Sequence, residues 1–552
     1  MFQHLTETFK DYKAKYIKDD LTAGISVASI SLPQAMAFSL IVGINPIFGV
    51  YTHIVATICA SFLSISNYII IGPTNLIAVA IASNLKLISP ENYLQSVFML
   101  TLMVGVIQLI LGFLRVGNLV NYISHGVVIG LTTGVAFVIA AGQIGNILGV
   151  SPENEYNALT TIYSTFKNID QTNLYSLILG LVTIVIIIIL NNLKINIPSY
   201  LVAIIIGIAS VSLFNLENQL EIIGEFSATF PRPHMIKFNL ITMQKLLSSV
   251  FSIAILSFIQ ILSIIKVMEE KSDDSIDVNR EFVNLGIINL LVSFFRGFVV
   301  TGSFSKSFAN YESGAYSRLS GFFSGLSALI IVLVFSSIIK TLPIATLAAI
   351  ILVVAYNLID FPEISTCFKT TNFDGAVFLA TFVMTIISPR LDYAVYFGVI
   401  VSIIFVLKRS SNINSDYLTY NSKDDSFVKK QSGELNKEDY IIINLSGIMH
   451  FNVSDNLKEE FDKSEIEKDK YVIRMRDVEY IDITVIKELE RFIDKVKGRG
   501  GEVYLSGVSE ENYERIKVYG ITKKIDEDHI FRAGEEIFSS TKDAIDEIDK
   551  FE

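Results

Sequence analysis

The sequence predicts an α-helical multipass membrane protein with a small soluble α/β domain at its C-terminal end. Three observations predict this. Of 552 residues, 51% are hydrophobic and 18% charged, and the mean hydropathy is +0.51, whereas soluble domains carry about 25% charged residues. Apolar runs of about 20 residues, the length that crosses a ~30 Å hydrocarbon core, recur between residues 20 and 410. The charge is segregated: residues 434–552 hold 30 Asp+Glu and 19 Lys+Arg, so the whole net charge of -11 lies there and residues 1–433 are neutral. These figures exclude a disordered chain, a collagen and a disulfide scaffold. They also count against nucleic-acid binding, which draws on a basic surface.

In chain order, residues 1–20 are polar, with Lys10, Lys13, Lys15 and Lys18 and no apolar signal core. That basic flank sets the N-terminus in the cytoplasm. Spans are expected at 21–42, 46–66, 95–114, 122–148, 174–191, 198–214, 247–267, 281–300, 318–340, 342–358, 373–388 and 391–407. Two stretches are too short to cross alone: 72–85, opening on Gly72-Pro73-Thr74, and 302–310, opening on Gly302-Ser303. Counting them gives 14 segments over residues 21–410, an even number that returns the chain to the cytoplasm, in accord with Lys408-Arg409. Each short segment is third in its half. Such paired, interrupted segments point to inverted repeats around a midplane site. Residues 411–436 read as a polar linker. In 437–552, strands at 440–445, 471–475 and 502–505 alternate with amphipathic helices at 453–461, 483–497 and 510–519, the pattern of an α/β domain.

The candidate site residues gather at three places. Pro33 interrupts the hydrogen bonding of the first span, and Gln34 and Phe38 share one helix face, four residues apart. Gln34 supplies amide donors, and Phe38 a positive ring edge. Gly72-Pro73-Thr74-Asn75 opens the first short helix, with Pro at its start and free N–H groups, an arrangement that suits an anion. Gly302-Ser303-Phe304-Ser305-Lys306 opens the second, where the serines can cap or bind and the helix dipole adds positive character. Lys306 adds a full charge, and an intramembrane lysine is a functional candidate. A cation would need acids here, and none is present. Cys59 and Cys367 are too few for a zinc cluster, and the six His lack ligand spacing. No metal, cofactor, enzymatic motif or nucleotide loop is expected.

These residues resemble the SulP anion permeases. The likeness rests on Asp20-Leu21-Thr22-Ala23-Gly24 with Pro33-Gln34-Ala35-Met36-Ala37, then Gly43, Pro46, Gly49, Tyr51 and Gly72-Pro73-Thr74. It continues through Asn279-Arg280-Glu281, Leu285-Gly286, Asn289, Gly297, Thr301 to Ser307, and Gly314. The tail is similar to a STAS domain at Gly447 to Phe451 and Asp477 to Asp482. The resemblance implies a 7+7 inverted-repeat, uracil-permease-like core-and-gate fold, elevator-like motion, and a homodimer in the inner membrane with the STAS domain cytoplasmic. It implies an anion held by Gln34, Phe38, Thr74 and Ser303 or Ser305, beside Asn75 and Phe304, with Lys306 where many relatives have Arg. Sulfate is the expected cargo, bicarbonate or a dicarboxylate the alternative.

Two departures follow from the same comparison. Gln260, in Ile259-Gln260-Ile261-Leu262, stands where many transporting relatives have an acid used for coupling. Exchange, uncoupled transport or coupling elsewhere is therefore expected instead of symport through this residue. Asp482-Ile483-Thr484 replaces the Asp-Ser-Ser of related anti-sigma-factor antagonists, leaving Thr484 as the candidate phosphoacceptor at a helix start. An anion channel on the same fold and a membrane-anchored signalling module with a cytoplasmic protein partner remain alternatives. A nucleobase permease shares the fold, but Lys306 and the serines suit an anion better than a neutral base.

Overall fold

A computed structural model describes residues 12–550 except 87, 116–123, 151–156, 194–197, 225–228, 273–275, 371, 411–413, 422–423, 425, 431–439 and 464–468. The N-terminal segment as far as residue 11, much of the expected linker and the start of the expected STAS domain at 437–439 lie outside the described residues. The chain forms two compact units, Met1–Ser402 and Ile403–Glu552.

The first unit is helical. Its first repeat comprises α1 (Ala14–Val42), α2 (Pro46–Leu63), α3 (Asn75–Leu85), α4 (Pro90–Phe113), α5 (His125–Leu148), α6 (Ala158–Lys167), α7 (Leu174–Asn192) and α8 (Ser199–Phe214). The second comprises α9 (Leu240–Lys271), α10 (Val278–Phe294), α11 (Phe304–Glu312), α12 (Leu319–Ile339), α13 (Ile344–Tyr356), α14 (Phe361–Thr370), α15 (Asn372–Ile387) and α16 (Leu391–Ser410). Each expected segment is a helix. Two additional helices, α6 and α14, have 10 residues each and break the hydropathy pattern because they are amphipathic. Among the described residues, 8 helices are long and apolar enough to cross a membrane. The half-helices α3 and α11 have 11 and 9 residues.

The packing repeats with the halves exchanged, as a 7+7 repeat requires. Helix α2 packs on α12 as α10 packs on α4, α1 on α12 as α9 on α4, and α7 on α13 as α15 on α5. Without a hydrophobic drive between helices, close approach depends on small residues. At the α4–α10 crossing a Cβ on Gly105 would lie 2.9 Å from the Gly286 carbonyl oxygen. At the equivalent α2–α12 crossing a Cβ on Gly325 would lie 3.0 Å from the Ile54 carbonyl oxygen.

Two short strands, β1 (Ile71–Gly72) and β2 (Thr301–Gly302), join the repeats at the centre. They pair antiparallel, Ile71 with Gly302 and Gly72 with Thr301, so the half-helices that follow leave the ribbon in opposite directions. Buried polar side chains hold the ribbon where no water can satisfy its backbone. The Asn289 amide donates to the Val300 carbonyl at 3.0 Å and accepts from the Val300 N–H at 2.8 Å. It also donates to Gln108 at 2.8 Å, and the Thr301 hydroxyl donates to the Ser257 carbonyl at 2.9 Å.

The second unit is a six-stranded sheet in the order β4-β3-β5-β6-β7-β8. The strands are β3 (Asn414–Asn421), β4 (Ser426–Lys430), β5 (Tyr440–Met449), β6 (Lys470–Ile481), β7 (Glu502–Val508) and β8 (Ile530–Arg532). Strands β5 to β8 run parallel, and β3 is antiparallel to both β4 and β5. Helices α17 (Ser454–Lys463), α18 (Ile483–Lys497) and α19 (Glu510–Tyr519) share one core with the face carrying Ile441, Ile443 and Leu445. Helix α20 (Ser539–Asp549) covers the face carrying Ile442, Val472 and Tyr504. The expected linker 411–436 is thus not a plain connector. Its alternating Tyr417, Leu418, Tyr420 and Phe427 give β3 and β4 enough apolar surface to extend the sheet, and Tyr417 and Leu418 are both buried.

Candidate functional site

Helix α1 brings Gln34 and Phe38 to the centre of the first unit, both buried. Its position is fixed by Gly49 on α2, where a Cβ would come within 1.9 Å of the Ala35 carbonyl oxygen. The N-caps of α3 and α11 are Thr74 and Ser303, and neither side chain caps its own helix. Thr74 instead donates its hydroxyl to Oε1 of Gln260 on α9 at 3.3 Å, and the side-chain Oδ1 of Asn75 accepts from the Leu76 N–H at 2.8 Å. Ser303 donates its backbone N–H to the Ile70 carbonyl at 3.1 Å. The two helix starts are therefore tied to each other and to α9. Their first-turn N–H groups, which have no intrahelical acceptor, carry partial positive charge at the same place.

A cavity of about 170 Å³ opens there. One water needs about 10–15 Å³ by this measure, so the space takes a small oxyanion with part of its hydration. Gln34, Phe38, Thr74, Asn75, Gln260, Ser303, Phe304 and Ser305 all line it. Phe304 and Ser305 are exposed and form its rim. Tyr200, Val354, Asn357 and Leu358 complete the wall, from the start of α8 and the end of α13. No carboxylate is among the lining residues. Sequence patterning gave no sign of Tyr200 and Asn357, which sit at helix ends far from either half-helix in the chain; their one signal is a polar group at the margin of an apolar run.

Lys306 is not part of the wall. It is fully buried and donates to the Pro73 carbonyl at 2.7 Å, joining α11 to the turn before α3. Its ammonium lies 5.8 Å from the centre of the Phe38 ring, whose other side faces the cavity. Ser307 and Asn310 add two more ties, accepting from the Ile70 N–H at 2.9 Å and donating to the Tyr68 carbonyl at 3.1 Å. The positive charge is thus held behind the helix starts, within the reach of electrostatics and out of direct contact.

In the second unit, Asp482 caps α18 by accepting from the Thr484 and Val485 N–H groups at 2.9 and 3.0 Å. Thr484 stands in the first turn, partly exposed, beside the exposed Ile483.

The sulfate permease family model matches residues 17–381 and the STAS domain model residues 433–544. The protein YvdB of Bacillus subtilis (strain 168), named for sulfate transport, is 26% identical over 536 residues, covering 96% of this chain and 98% of its own. The murine Solute Carrier 26 family member A9 anion transporter, solved in the inward-facing state, superposes with a TM-score of 0.89 at 22% identity, over 99% of this chain and 94% of that one. The transmembrane domain of the cyanobacterial bicarbonate transporter BicA superposes with a TM-score of 0.62 at 24% identity, over 71% of this chain and 98% of that one.

Proposed function

The chain belongs to the sulfate permease family, a family of transporters, and from that premise we propose that it carries a small inorganic anion, sulfate, across the cytoplasmic membrane by alternating access. One observation carries the reading. Two half-helix starts from opposite repeats meet at a cavity with no carboxylate in its wall and a buried lysine behind it. In this reading the first-turn N–H groups and Gln34 coordinate the anion, Thr74 and Ser303 hydrogen-bond it, Asn75, Phe304 and Ser305 shape its approach, and Lys306 supplies charge. Gln260 orients Thr74 and carries no proton.

A second cavity of about 300 Å³ supports an elevator-like movement. It lies along the far end of α3, at Val79, Ser83 and Lys86, against α5, α6 and the α15–α16 turn. Helix α3 therefore has space at both ends, about 16 Å apart by its rise per residue. By the basic N-terminal flank, the cavity at Thr74 faces the cytoplasm and the other faces outward. Homodimerisation, a cytoplasmic STAS domain that docks a protein partner, and phosphorylation at Thr484 belong to the same reading. One observation favours a dicarboxylate over sulfate: a further chamber of about 100 Å³, which Thr132 and Ser263 also line, shares Asn75, Gln260, Phe304 and Leu358 with the first cavity and gives room for a longer anion.

The test is uptake of labelled sulfate, bicarbonate, chloride and fumarate into proteoliposomes, with and without pH and sodium gradients, beside Lys306→Ala. Saturable uptake of one anion, lost in Lys306→Ala, identifies the cargo and supports the site. Current without saturation makes the protein a channel. No uptake of any of the four overturns the transport reading and leaves the signalling module.

A further inference from the structure

Lys306 has a neighbour that the site described so far does not use. His53, on α2, is fully buried. Its Nε2 lies 3.3 Å from the Ser324 hydroxyl on α12, and its Nδ1 has no hydrogen-bond partner. Both side chains close on one point. A Cβ on Gly72 would lie 3.4 Å from Nζ of Lys306 and 3.6 Å from Nδ1 of His53. With Nε2 engaged by Ser324, Nδ1 is the open nitrogen, on the same side of Gly72 as the amine.

Two bases thus share one dry pocket behind the helix starts. The groups around them carry no compensating charge. Phe38 of α1 lies 5.8 Å from the ammonium, the Pro73 carbonyl accepts from it, Gly72 stands beside both bases, and Ser324 of α12 bonds to the imidazole. Among the described residues no carboxylate bonds to either base. Two buried acids lie farther off, each already engaged: Asp20 accepts from Tyr316 and Ser317 just before α12, and Glu281 from Ser64 and the Ile65 N–H at 2.5 and 2.8 Å at the end of α2. Ser64 is about 16 Å along α2 from His53. A buried ammonium without a counter-ion costs several kcal/mol of lost hydration, and an anion at the helix starts offsets part of that cost. Proton and anion therefore favour each other's binding, and by linkage the effect is reciprocal.

We propose that His53 and Lys306 form a proton site linked to the anion site: one proton, shared between two buried bases, is bound with the anion and released with it. This rests on the anion-transport reading above. The proton comes from the water of the cavity, joins the Lys306 amine, where its charge disfavours a second proton on His53, and returns to water when the anion leaves. Gln260 then needs no titratable group, because the proton is carried on the opposite side of the helix starts. A linked proton on a base predicts tighter anion binding at low pH, with affinity falling up to tenfold per pH unit as the base loses its proton.

The experiment is calorimetric titration of the full chain in detergent with sodium sulfate, from pH 5 to 9, in two buffers of different ionisation enthalpy. The pair of buffers counts protons taken up per anion. Wild type should take up close to one proton per sulfate, and its Kd should rise with pH. Lys306→Arg, a cation that keeps its proton in proteins, should bind with no proton uptake and a Kd independent of pH. Gly72→Ala, whose methyl group touches both nitrogens without a steric clash, should move the pH at which affinity falls while leaving the proton count. His53→Ala should move it too, by removing the second base. Sulfate binding without proton uptake in wild type, or uptake that persists in Lys306→Arg, overturns the shared proton. Absence of binding by sulfate, bicarbonate and fumarate alike overturns the transport reading, and the linkage with it.

Discussion

The Thr74 hydroxyl donates to Gln260 across 3.3 Å, joining the start of one half-helix to the long helix of the opposite repeat. Thr74 would otherwise cap its own helix, as threonine at that position ordinarily does. Its diversion to Gln260 leaves the first-turn N–H groups of α3 facing the cavity. A glutamine can do this without bringing a charge.

Replacing Gln260 with Leu removes that acceptor and a polar part of the wall. The cost of one lost hydrogen bond is about 1–1.5 kcal/mol, so the KM for anion uptake should rise about tenfold with little change in maximal rate. Initial-rate uptake over a concentration series reads this directly.

Gly49→Ala should damage the protein more than its size suggests. The new methyl group meets the Ala35 carbonyl at 1.9 Å, and backbone cannot move aside as a side chain can. Helices α1 and α2 must part, at a cost of about 3 kcal/mol. The melting temperature in detergent should fall, and uptake should fall with it because Gln34 moves with Ala35.

Asn289→Leu keeps the volume and removes the side-chain bonds to Val300 and Gln108. Buried donors and acceptors left unpaired cost about 1–3 kcal/mol each, so a loss of about 3–4 kcal/mol is expected. Thermal melts should show it even with saturating anion, since Asn289 lies outside the cavity.

In the second unit, Asp482→Ala removes the cap of α18 and should cost about 1 kcal/mol. Urea unfolding followed by circular dichroism measures it. The same variant should leave anion uptake unchanged, because the cavity is lined by residues of the helical unit alone.

Tyr504 gives a pH-dependent prediction. Burial, then the hydrogen bond it donates to Glu502 at 2.6 Å and the charge of that carboxylate, raise the phenol above its ordinary range. The folded domain therefore holds this proton at pH values where the unfolded chain has lost it. The associated stability is complete below about pH 10 and is lost as the pH rises beyond that. Urea midpoints of the STAS unit should fall above pH 10, and Tyr504→Phe should flatten that fall.

The helical architecture was legible because bilayer crossing imposes length and hydropathy on a sequence, and most of the segments from 21–42 to 391–407 satisfy it. The half-helices were legible from their small and helix-starting residues, Gly72-Pro73-Thr74 and Gly302-Ser303. Helices α6 and α14 escaped because an amphipathic helix of 10 residues resembles a loop in a hydropathy trace. Strands β3 and β4 escaped for a related reason: strands rich in Asn, Ser, Asp and Lys look like connectors until a sheet is there to receive them. Within the site, Thr74, Asn75, Ser303, Phe304 and Ser305 followed from helix-start chemistry, Gln34 and Phe38 from a shared helix face, and Gln260 from the family resemblance. The position of Lys306 did not, since spacing places a residue on a helix and says nothing about which carbonyl across the fold takes its ammonium. His53 likewise read as a packing residue until Gly72 brought its ring beside that lysine.

The central ribbon has a consequence for biosynthesis. Lys306 and the Pro73 carbonyl that receives it are 233 residues apart, and the strands that flank them pair only across the same gap. A ribosome adding about 5–20 residues per second needs roughly 10–50 seconds to supply the second strand after the first. Through that interval the start of α3 has its polar backbone in the bilayer without its partner. The first repeat must therefore be sheltered by the insertion machinery until the second arrives, and a chain truncated before Thr301 should be recognised as unfinished and degraded, however well its spans insert.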